Sequence, residues 1–434
     1  MVKNERSYLR NRGRNDPLLR PQEGMLTSEA TNPRHNIALN KPAIQISTSE
    51  WSRHFTRERD AATAVSGKIE GNEFFHTGAA IAPWWQVDLG GFFWINGLEC
   101  FLRKDIPRTY NYTVVRSIDG VHWENLGALR AAPHQTSIDP DWHIKVENER
   151  LARYVRVYER SYGYLYFRQL RVFGRMPSSD RLPEIVGAEA LHIADRFKVP
   201  DGRIGRMIPV WPFMVFADTR AYEPDIIDSL EIGRYEQSER ELTAKLLSPG
   251  NRVIEIGTAA GIVAMTAAMI VGAENVRSFE ANAEIAADAK ANFLRNEFEE
   301  ITLKVGALRN RHVIDLNGTS ELDFFIHKSF WASTVDAARY EHGIVRSIKV
   351  PVFCLEDEIA DHGADVIISD IEGAEFELFE EADLAGINLL IMEVHFFRGA
   401  EAVSRFVTKI IYKGFDLNTR WSSGEIMVFS RRHS

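Results

Sequence analysis

Cysteine is scarce. The 434 residues hold two, Cys100 and Cys354, too few and too far apart for a disulfide framework or a structural zinc site. Core packing is their plainer role. Long apolar runs are also missing: the longest, Gly261 to Ala273, is broken by Thr266 and falls short of the ~20 residues that span a bilayer. No membrane span is expected. The basic residues Lys3, Arg6, Arg10, Arg12 and Arg14 are followed by no apolar stretch, the order that a secretory signal requires, and the expected location is the cytoplasm. No cluster of His, Cys and carboxylates has metal-ligand spacing, so no metal is expected. No internal repeat or low-complexity segment is found.

What is present is an ordinary globular composition, 45% hydrophobic and 26% charged, at a length that suits two or three domains. The net charge of −9 is unevenly spread. Residues 1–175 carry 25 Lys and Arg against 19 Asp and Glu, whereas residues 176–434 carry 27 against 42. Two differently built halves follow. The basic residues of the first half are scattered Arg without a recognisable motif, so nucleic-acid binding is not expected.

Residues 1–32 are polar and aperiodic and read as a flexible arm. From 33 to 175 short β-rich runs (Trp84 to Leu89, Phe93 to Leu102, Tyr110 to Ser117, Arg153 to Tyr158) alternate with turn clusters, which predicts a β-sandwich or barrel. The stretch 176–187 reads as a linker. Beyond it, strand-like runs (Arg252 to Ile256, Val276 to Phe279, Ile301 to Val305, Asp365 to Ser369, Asn388 to Val394) alternate with helix-like ones (Ile262 to Val271, Ala283 to Phe298, Ala374 to Glu381, Ala400 to Tyr412). That alternation predicts a doubly wound α/β sheet over 188–434. Phe415 to Thr419 and Glu425 to Ser430 are spaced to close it as an antiparallel pair through Ser422-Ser423-Gly424.

The segment Val253-Ile-Glu-Ile-Gly-Thr-Ala-Ala-Gly-Ile-Val263 runs a strand through a turn with Gly257 and Gly261 into a helix, which lets a ligand approach backbone N–H groups. A dinucleotide fingerprint begun at Gly257 needs glycine at 259 and 262, where Ala259 and Ile262 stand, and the Lys-Ser/Thr of a phosphate loop is missing. Instead Glu255 precedes the turn and Glu280 follows the next strand. A carboxylate at the second place accepts from ribose hydroxyls, and one at the first suits a cation. A ribonucleoside that carries a sulfonium, S-adenosylmethionine, fits both.

Glu255-x-Gly257-x-x-x-Gly261 with Glu280 resembles the first motifs of class I methyltransferases, and Ala307 joins the candidate cofactor contacts. Gly233-Arg-Tyr-Glu236, Asp365-Val-Ile-Ile-Ser-Asp-Ile-Glu-Gly-Ala-Glu375 and Asn388-Leu-Leu-Ile-Met-Glu-Val-His395, in that order, resemble the FkbM family over roughly Ala188 to Arg431. The resemblance implies a Rossmann-like class I methyltransferase fold and O-methylation. Asp370, Glu372, Glu393 and His395 fall at strand ends, where an open α/β sheet binds ligands, and form the pool for a base and for substrate contacts. Asp370, Glu372 and His395 are the catalytic candidates, His395 because its unperturbed pKa suits a base near neutrality. Glu372 and Glu375 flank Gly373 at a helix start and also suit that terminus. Ser333, in Trp331-Ala-Ser-Thr334, resembles a small polar motif of the family and either binds substrate or caps a turn.

In the first half, Asn36-Ile-Ala-Leu-Asn-Lys-Pro42, Phe75-His-Thr77, Pro83-Trp-Trp-Gln-Val-Asp-Leu-Gly90, Ser117-Ile-Asp-Gly-Val-His-Trp123 and Arg168-Gln-Leu-Arg-Val-Phe-Gly174 resemble the discoidin fold of coagulation-factor C domains and fucose-binding F-type lectins. That implies a jelly-roll sandwich, with Trp84 and Trp85 in its core. His76 and Arg103-Lys-Asp105 stand as in the lectins' sugar-binding motif; Arg108 comes earlier than the motif places it. At the loop where the lectins hold calcium this chain reads Val65-Ser-Gly-Lys68 where Asp-Gly-Asn is expected, and Gln169 replaces a glutamate. His76, Arg103, Asp105 and Arg108 are the candidate sugar contacts. Together these readings predict an S-adenosylmethionine-dependent O-methyltransferase of a sugar or glycan hydroxyl, whose β domain holds the carbohydrate. A non-catalytic glycan-binding protein and a small-metabolite methyltransferase with a scaffolding β domain are the alternatives.

Overall fold

A computed structural model describes residues 35–71, 74–106, 110–133, 139–318, 320–329, 333–335 and 342–432. The expected arm, 1–32, and Arg108 lie outside the described residues. The chain forms two units, one of Met1–Ala79, Pro83–Glu159 and Tyr164–Leu191, the other of Ala80–Ala82, Arg160–Gly163 and His192–Ser434. The segment 176–187 contains more structure than a linker: a helix, Leu182–Arg196, begins within it. Its turn-like Pro-Ser-Ser-Asp sequence serves as a helix entry, with Pro183 and Glu184 in the first turn, where a missing N–H and a negative charge are both favourable.

The first unit is an all-β jelly-roll domain. Strands β1 (Ala43–Gln45), β2 (Trp84–Phe101), β3 (Tyr110–Ser117), β4 (Glu124–Ala131) and β5 (Trp142–Glu159) are ordered β1-β2-β5-β3-β4, and β6 (Gln169–Arg175) also pairs with β2. All these pairings are antiparallel. The two runs read as separate strands, Trp84 to Leu89 and Phe93 to Leu102, are one strand. Gly90 and Gly91 form a bulge, and pairing with β5 passes from Asp88↔Tyr154 to Phe93↔Ala152. A bulge absorbs extra residues without reversing the chain. Alternation along β2 sends Trp85 into the core, with its indole N–H on the Ala61 carbonyl at 2.9 Å. Trp84 is only half-buried, under the Arg156 guanidinium at 4.1 Å. Of the expected core pair, then, one member faces outward.

Gln169 closes the loop that follows the short helix Arg57–Ala61. Its Oε1 accepts from the Gly67 N–H at 2.9 Å, and its Nε2 donates to the Thr63 carbonyl at 2.5 Å and the Ser66 hydroxyl at 3.1 Å. Calcium needs oxygen ligands, and here an amide N–H donor occupies the carbonyl and hydroxyl that would supply them. These residues do not fit the ion held by the lectins they resemble.

The second unit holds a seven-stranded sheet. Strands β7 (Val253–Ile256), β8 (Val276–Glu280), β9 (Thr302–Val305), β13 (Val366–Ser369) and β14 (Leu389–Glu393) are parallel, and β16 (Ile426–Arg431) and β15 (Phe415–Leu417) complete it antiparallel, in the order β9-β8-β7-β13-β14-β16-β15. Helices α1 (Ile262–Val271), α2 (Ala283–Arg295), α3 (Glu375–Phe379) and α4 (Ala400–Tyr412) alternate with them. Every residue of β7 and of α1 is buried, which explains sequences apolar but for Glu255 and Thr266. Sequence periodicity did not reveal the small sheet of β10 (Ala307–Arg309), β11 (Glu321–His327) and β12 (Ile344–Cys354), nor the hairpin of Gly205–Val210 with Phe213–Asp218. In β12, Ile348, Val350 and Val352 alternate with the exposed Lys349 and Pro351, but Arg346 breaks the inward row and a proline inside the run argues against a strand. The chain runs from β7 outward through β8 to β9, then returns to build β13 and β14 on the other side. That reversal opens a crevice at the carboxyl ends of β7 and β13.

Replacing Gln169 by Leu strips partners from the Gly67 N–H and the Thr63 carbonyl. We expect a loss of ~1–3 kcal/mol in denaturant unfolding of the full chain, and a melting temperature of the unaltered protein, already stripped of metal, that does not change when calcium is added.

Candidate functional site

Two strand exits meet at the crevice. Gly257, leaving β7, has φ 93°, and a Cβ added there would lie 1.8 Å from the Asp370 carbonyl at the exit of β13. No other residue fits both constraints. Asp370 N–H in turn donates to the Ile256 carbonyl at 3.0 Å. Gly261 (φ 84°) faces the Phe293 ring across α2 at 2.5 Å from its virtual Cβ. It packs the turn and does not line the cavity.

That cavity has a volume of about 890 Å³, counting the part open to solvent. Among the sequence-predicted residues, Gly257, Glu280, Ala307, Ser333, Asp370 and Glu372 line it. Glu280, half-buried, accepts from the Ala259 N–H at 3.1 Å and the Asn282 N–H at 2.8 Å, while burial holds its carboxyl above the usual range. Ala259, where the dinucleotide pattern wants glycine, has a left-handed φ of 46°. The Ser333 hydroxyl accepts the His327 N–H at 3.1 Å; Trp331 and Ala332 lie outside the described residues.

Glu255 lies elsewhere. It is 2% exposed, accepts from the Thr258 hydroxyl at 2.9 Å, and borders a narrower gap with Glu236, Glu239, Asp370 and Glu393. Burial pushes its carboxyl up to about 7. Sequence reasoning quoted Glu236 in the Gly233-Arg-Tyr-Glu block without giving it a site role. It lines both spaces, takes a left-handed φ of 49° and turns a buried, unpartnered Oε2 inward. Burial raises its carboxyl as well, with Glu239 and Asp370 adding to the effect. A polar side chain in a disfavoured backbone conformation, ahead of the first strand, is a signal no periodicity carries.

His395 does not line the cavity. It is 7% exposed, with Nδ1 2.9 Å from Glu375 Oε1 and Nε2 3.2 Å from Glu372 Oε2 and 3.9 Å from Glu393 Oε1. Burial acts to lower its pKa, but the bond to Glu375 and the charges of Glu375, Glu372 and Asp370 outweigh burial and push it up to about 9. At neutral pH it holds its proton, so its expected role as the base gives way to that of a fixed cation between carboxylates. Burial followed by the charge of Asp370 raises Glu393 to about 8. Burial and the charge of Glu372 raise Asp370 well above the carboxylate range. The absence of metal-ligand spacing also needs correction. Asp370, Glu375 and His395 each offer one ligand atom within 4.8 Å of the others. They come from the exits of two different strands, where adjacency in space is hidden by distance in sequence.

In the first unit, His76 Nδ1 donates to the Thr77 carbonyl at 2.8 Å and lies 2.9 Å from the Ser49 hydroxyl. Its ring stacks on Tyr166 (4.9 Å, 15°). Arg103 lies with its guanidinium 5.1 Å from the same Tyr166 ring and 3.7 Å from that of Phe74, in an ion pair with Asp105 that lowers the Asp105 carboxyl. Tyr166 thus brings the expected His76 and Arg103 together. Trp51 (51% exposed) and Tyr164 (36%), each within 5.5 Å of His76 or of one another, widen this into an aromatic shelf that the sequence did not disclose.

Residues 255–431 match the family model described as the methyltransferase FkbM domain. This region is a methyltransferase FkbM domain. Residues 63–157 match the NedA-like, galactose-binding domain. The chain is also similar to a fucose-binding module of Streptococcus pneumoniae (24% identity, 32% of this chain and 96% of that one, TM-score 0.27). Two further similarities are to the serum fucolectin of striped bass, Morone saxatilis (19%, 33% and 49%, TM-score 0.28), and to a chitosan-binding module of a Paenibacillus chitosanase/glucanase (23%, 32% and 98%, TM-score 0.24). No protein with a curated description matches. Among the described residues no helix is long and apolar enough to cross a membrane.

Gly257→Ala is expected to cost more than ~3 kcal/mol in thermal or denaturant unfolding, because strain and a clash with immovable backbone add. Glu255 supplies a pH test. Its folded pKa of about 7 exceeds the ordinary 4.5, so the folded state binds the extra proton and stability falls as pH rises from 4.5 through 7. In Glu255→Gln that part of the slope, ~3 kcal/mol across the window, disappears from unfolding curves measured at several pH values.

Proposed function

We propose that this protein is an S-adenosylmethionine-dependent O-methyltransferase that methylates a hydroxyl of a sugar or glycan, with the first unit binding the carbohydrate. The observation that carries the reading is the crowding of Glu236, Glu280, Asp370 and Glu372 around the crevice formed by Gly257 and Asp370, against one lining cation among the described residues, Arg309, whose charge is already paired with Glu377. Such a site repels phosphate and favours a cation. Glu280, which lines the cavity at the exit of β8, is the acceptor for ribose hydroxyls in this reading. Ala307 and Leu308 line the space for a base, and Glu236 and Asp370 face the positively charged end. The inward, unpartnered oxygens of Glu236 and Asp370 are what a cationic ligand would satisfy. When bound, S-adenosylmethionine supplies an electrophilic methyl group.

The chain's own task is to align the acceptor oxygen and receive its proton. Asp370 and Glu372 both line the cavity; Asp370 faces the donor, and Glu372 is the group that accepts the proton. Glu372, its left-handed backbone (φ 52°) followed by Gly373, is oriented by His395, a positioning residue. The sugar assignment rests on the exposed rings of Trp51 and Tyr164, held beside buried His76 and Tyr166 and near Arg103. Flat apolar faces with hydrogen-bonding groups at the edge suit the apolar face and the hydroxyls of a pyranose.

Two sets of variants test the proposal. Glu372→Gln should lower kcat by ~10²–10⁴ while donor affinity by calorimetry stays within a few fold; Glu280→Ala should abolish donor binding. His76→Ala in the full chain should leave donor affinity intact and remove binding to fucosylated and galactosylated glycan arrays. Absence of donor binding by the unaltered protein would end the enzymatic reading.

A further inference from the structure

We propose that Asp370, Glu375 and His395 form a binding site for a divalent transition-metal ion. The inference shares Asp370 with the transferase reading, but it stands on Glu375 and His395, which that reading does not place against the donor, and would survive its failure. The three side chains come from the exit of β13, the first turn of α3 and the exit of β14, and place one ligand atom each within 4.8 Å of the other two. Proximity of acids alone is common. Here a second observation points to a ligand: Glu375 is fully buried (0% exposed), and its Oε2 has no hydrogen-bond partner. The same holds for Asp370 Oδ1, a buried oxygen of the same cluster. A buried oxygen without a donor carries a desolvation cost, and the cluster leaves two of them.

The remaining atoms are already committed in a way that suits an ion. Glu375 Oε1 lies 2.9 Å from His395 Nδ1 and accepts the Gly373 N–H at 3.0 Å. A separation of 2.9 Å is that of adjacent ligands at ~90° around one ion with bonds of ~2.0–2.1 Å, the octahedral rather than the tetrahedral arrangement. On its other edge His395 Nε2 meets Glu372 Oε2 at 3.2 Å. A carboxylate on the nitrogen that does not bind metal is the usual device that fixes a ligating imidazole's tautomer and orientation. Two carboxylates and an imidazole select manganese, iron or zinc over magnesium or calcium, which favour oxygen alone. Asp370 also lines the large cavity, so an ion held here has a face open to a ligand oxygen.

With no ion bound, His395 as a histidinium is the cation of the cluster; an ion bound there takes the place of the proton on Nδ1, and the rival is that the proton stays. The test uses full-length protein, stripped with chelator and titrated with Mn²⁺, free ion being read by electron paramagnetic resonance. One Mn²⁺ per chain, displaced by Zn²⁺, is expected, with affinity reduced at least tenfold in Glu375→Gln and His395→Gln whose circular dichroism is unaltered. Pulsed measurement on the unaltered protein needs no variant, and should show ¹⁴N coupling of a bound imidazole. No stoichiometric Mn²⁺ binding, affinity unaffected by folded variants, or bound Mn²⁺ without nitrogen coupling would each overturn the site. Donor binding measured in parallel keeps this outcome separate from that of the transferase proposal.

Discussion

The contact of Gly257 with the Asp370 carbonyl sets the geometry of the second unit's functional end. Because no side chain separates them, the exits of β7 and β13 lie edge to edge, and whatever follows either strand is forced to the rim of one crevice. Acids follow both, and acids stand on the neighbouring strands: Glu280 after β8, Glu372 and Glu375 after β13, Glu393 at the end of β14. The field at the crevice is therefore strongly negative, and it adds to burial in raising the carboxyls of Asp370, Glu393 and Glu236. His395 meets part of the imbalance; a positively charged ligand meets more.

Much of the second unit was legible because its elements bury apolar runs of the length their type requires. Ile262 to Val271 and Ala400 to Tyr412 coincide with helices, and the closing pair after Phe415 is antiparallel as its spacing implies. The inserted sheet was not legible. Its strands are amphipathic only against each other, and Pro351 and paired charges such as Lys349 with Asp323 disguise them. In the first unit a glycine pair was read as a turn when the sheet uses it as a bulge. Local sequence states that the backbone bends; the partner strand decides whether it reverses.

Site residues followed a similar division. Positions fixed by backbone geometry, such as Gly257 and Glu280, were readable because the turn admits few alternatives. Roles set by charge were not. His395 has an ordinary imidazole in sequence, and only the folded chain surrounds it with Glu372, Glu375 and Glu393. Trp51 and Tyr164 escaped notice because exposed aromatics are common, and what distinguishes them is their shared edge with His76.

The amide of Gln169 has a consequence for how the first unit keeps its form. A loop tied by an ion inherits the ion's dissociation constant, and extracellular calcium modules, with constants of ~10⁻⁴–10⁻³ M, come apart where calcium is scarce. A loop tied by a covalently attached donor and acceptor cannot lose its fastener by dilution. The shelf at His76 therefore stands on a framework indifferent to the mineral content of its surroundings.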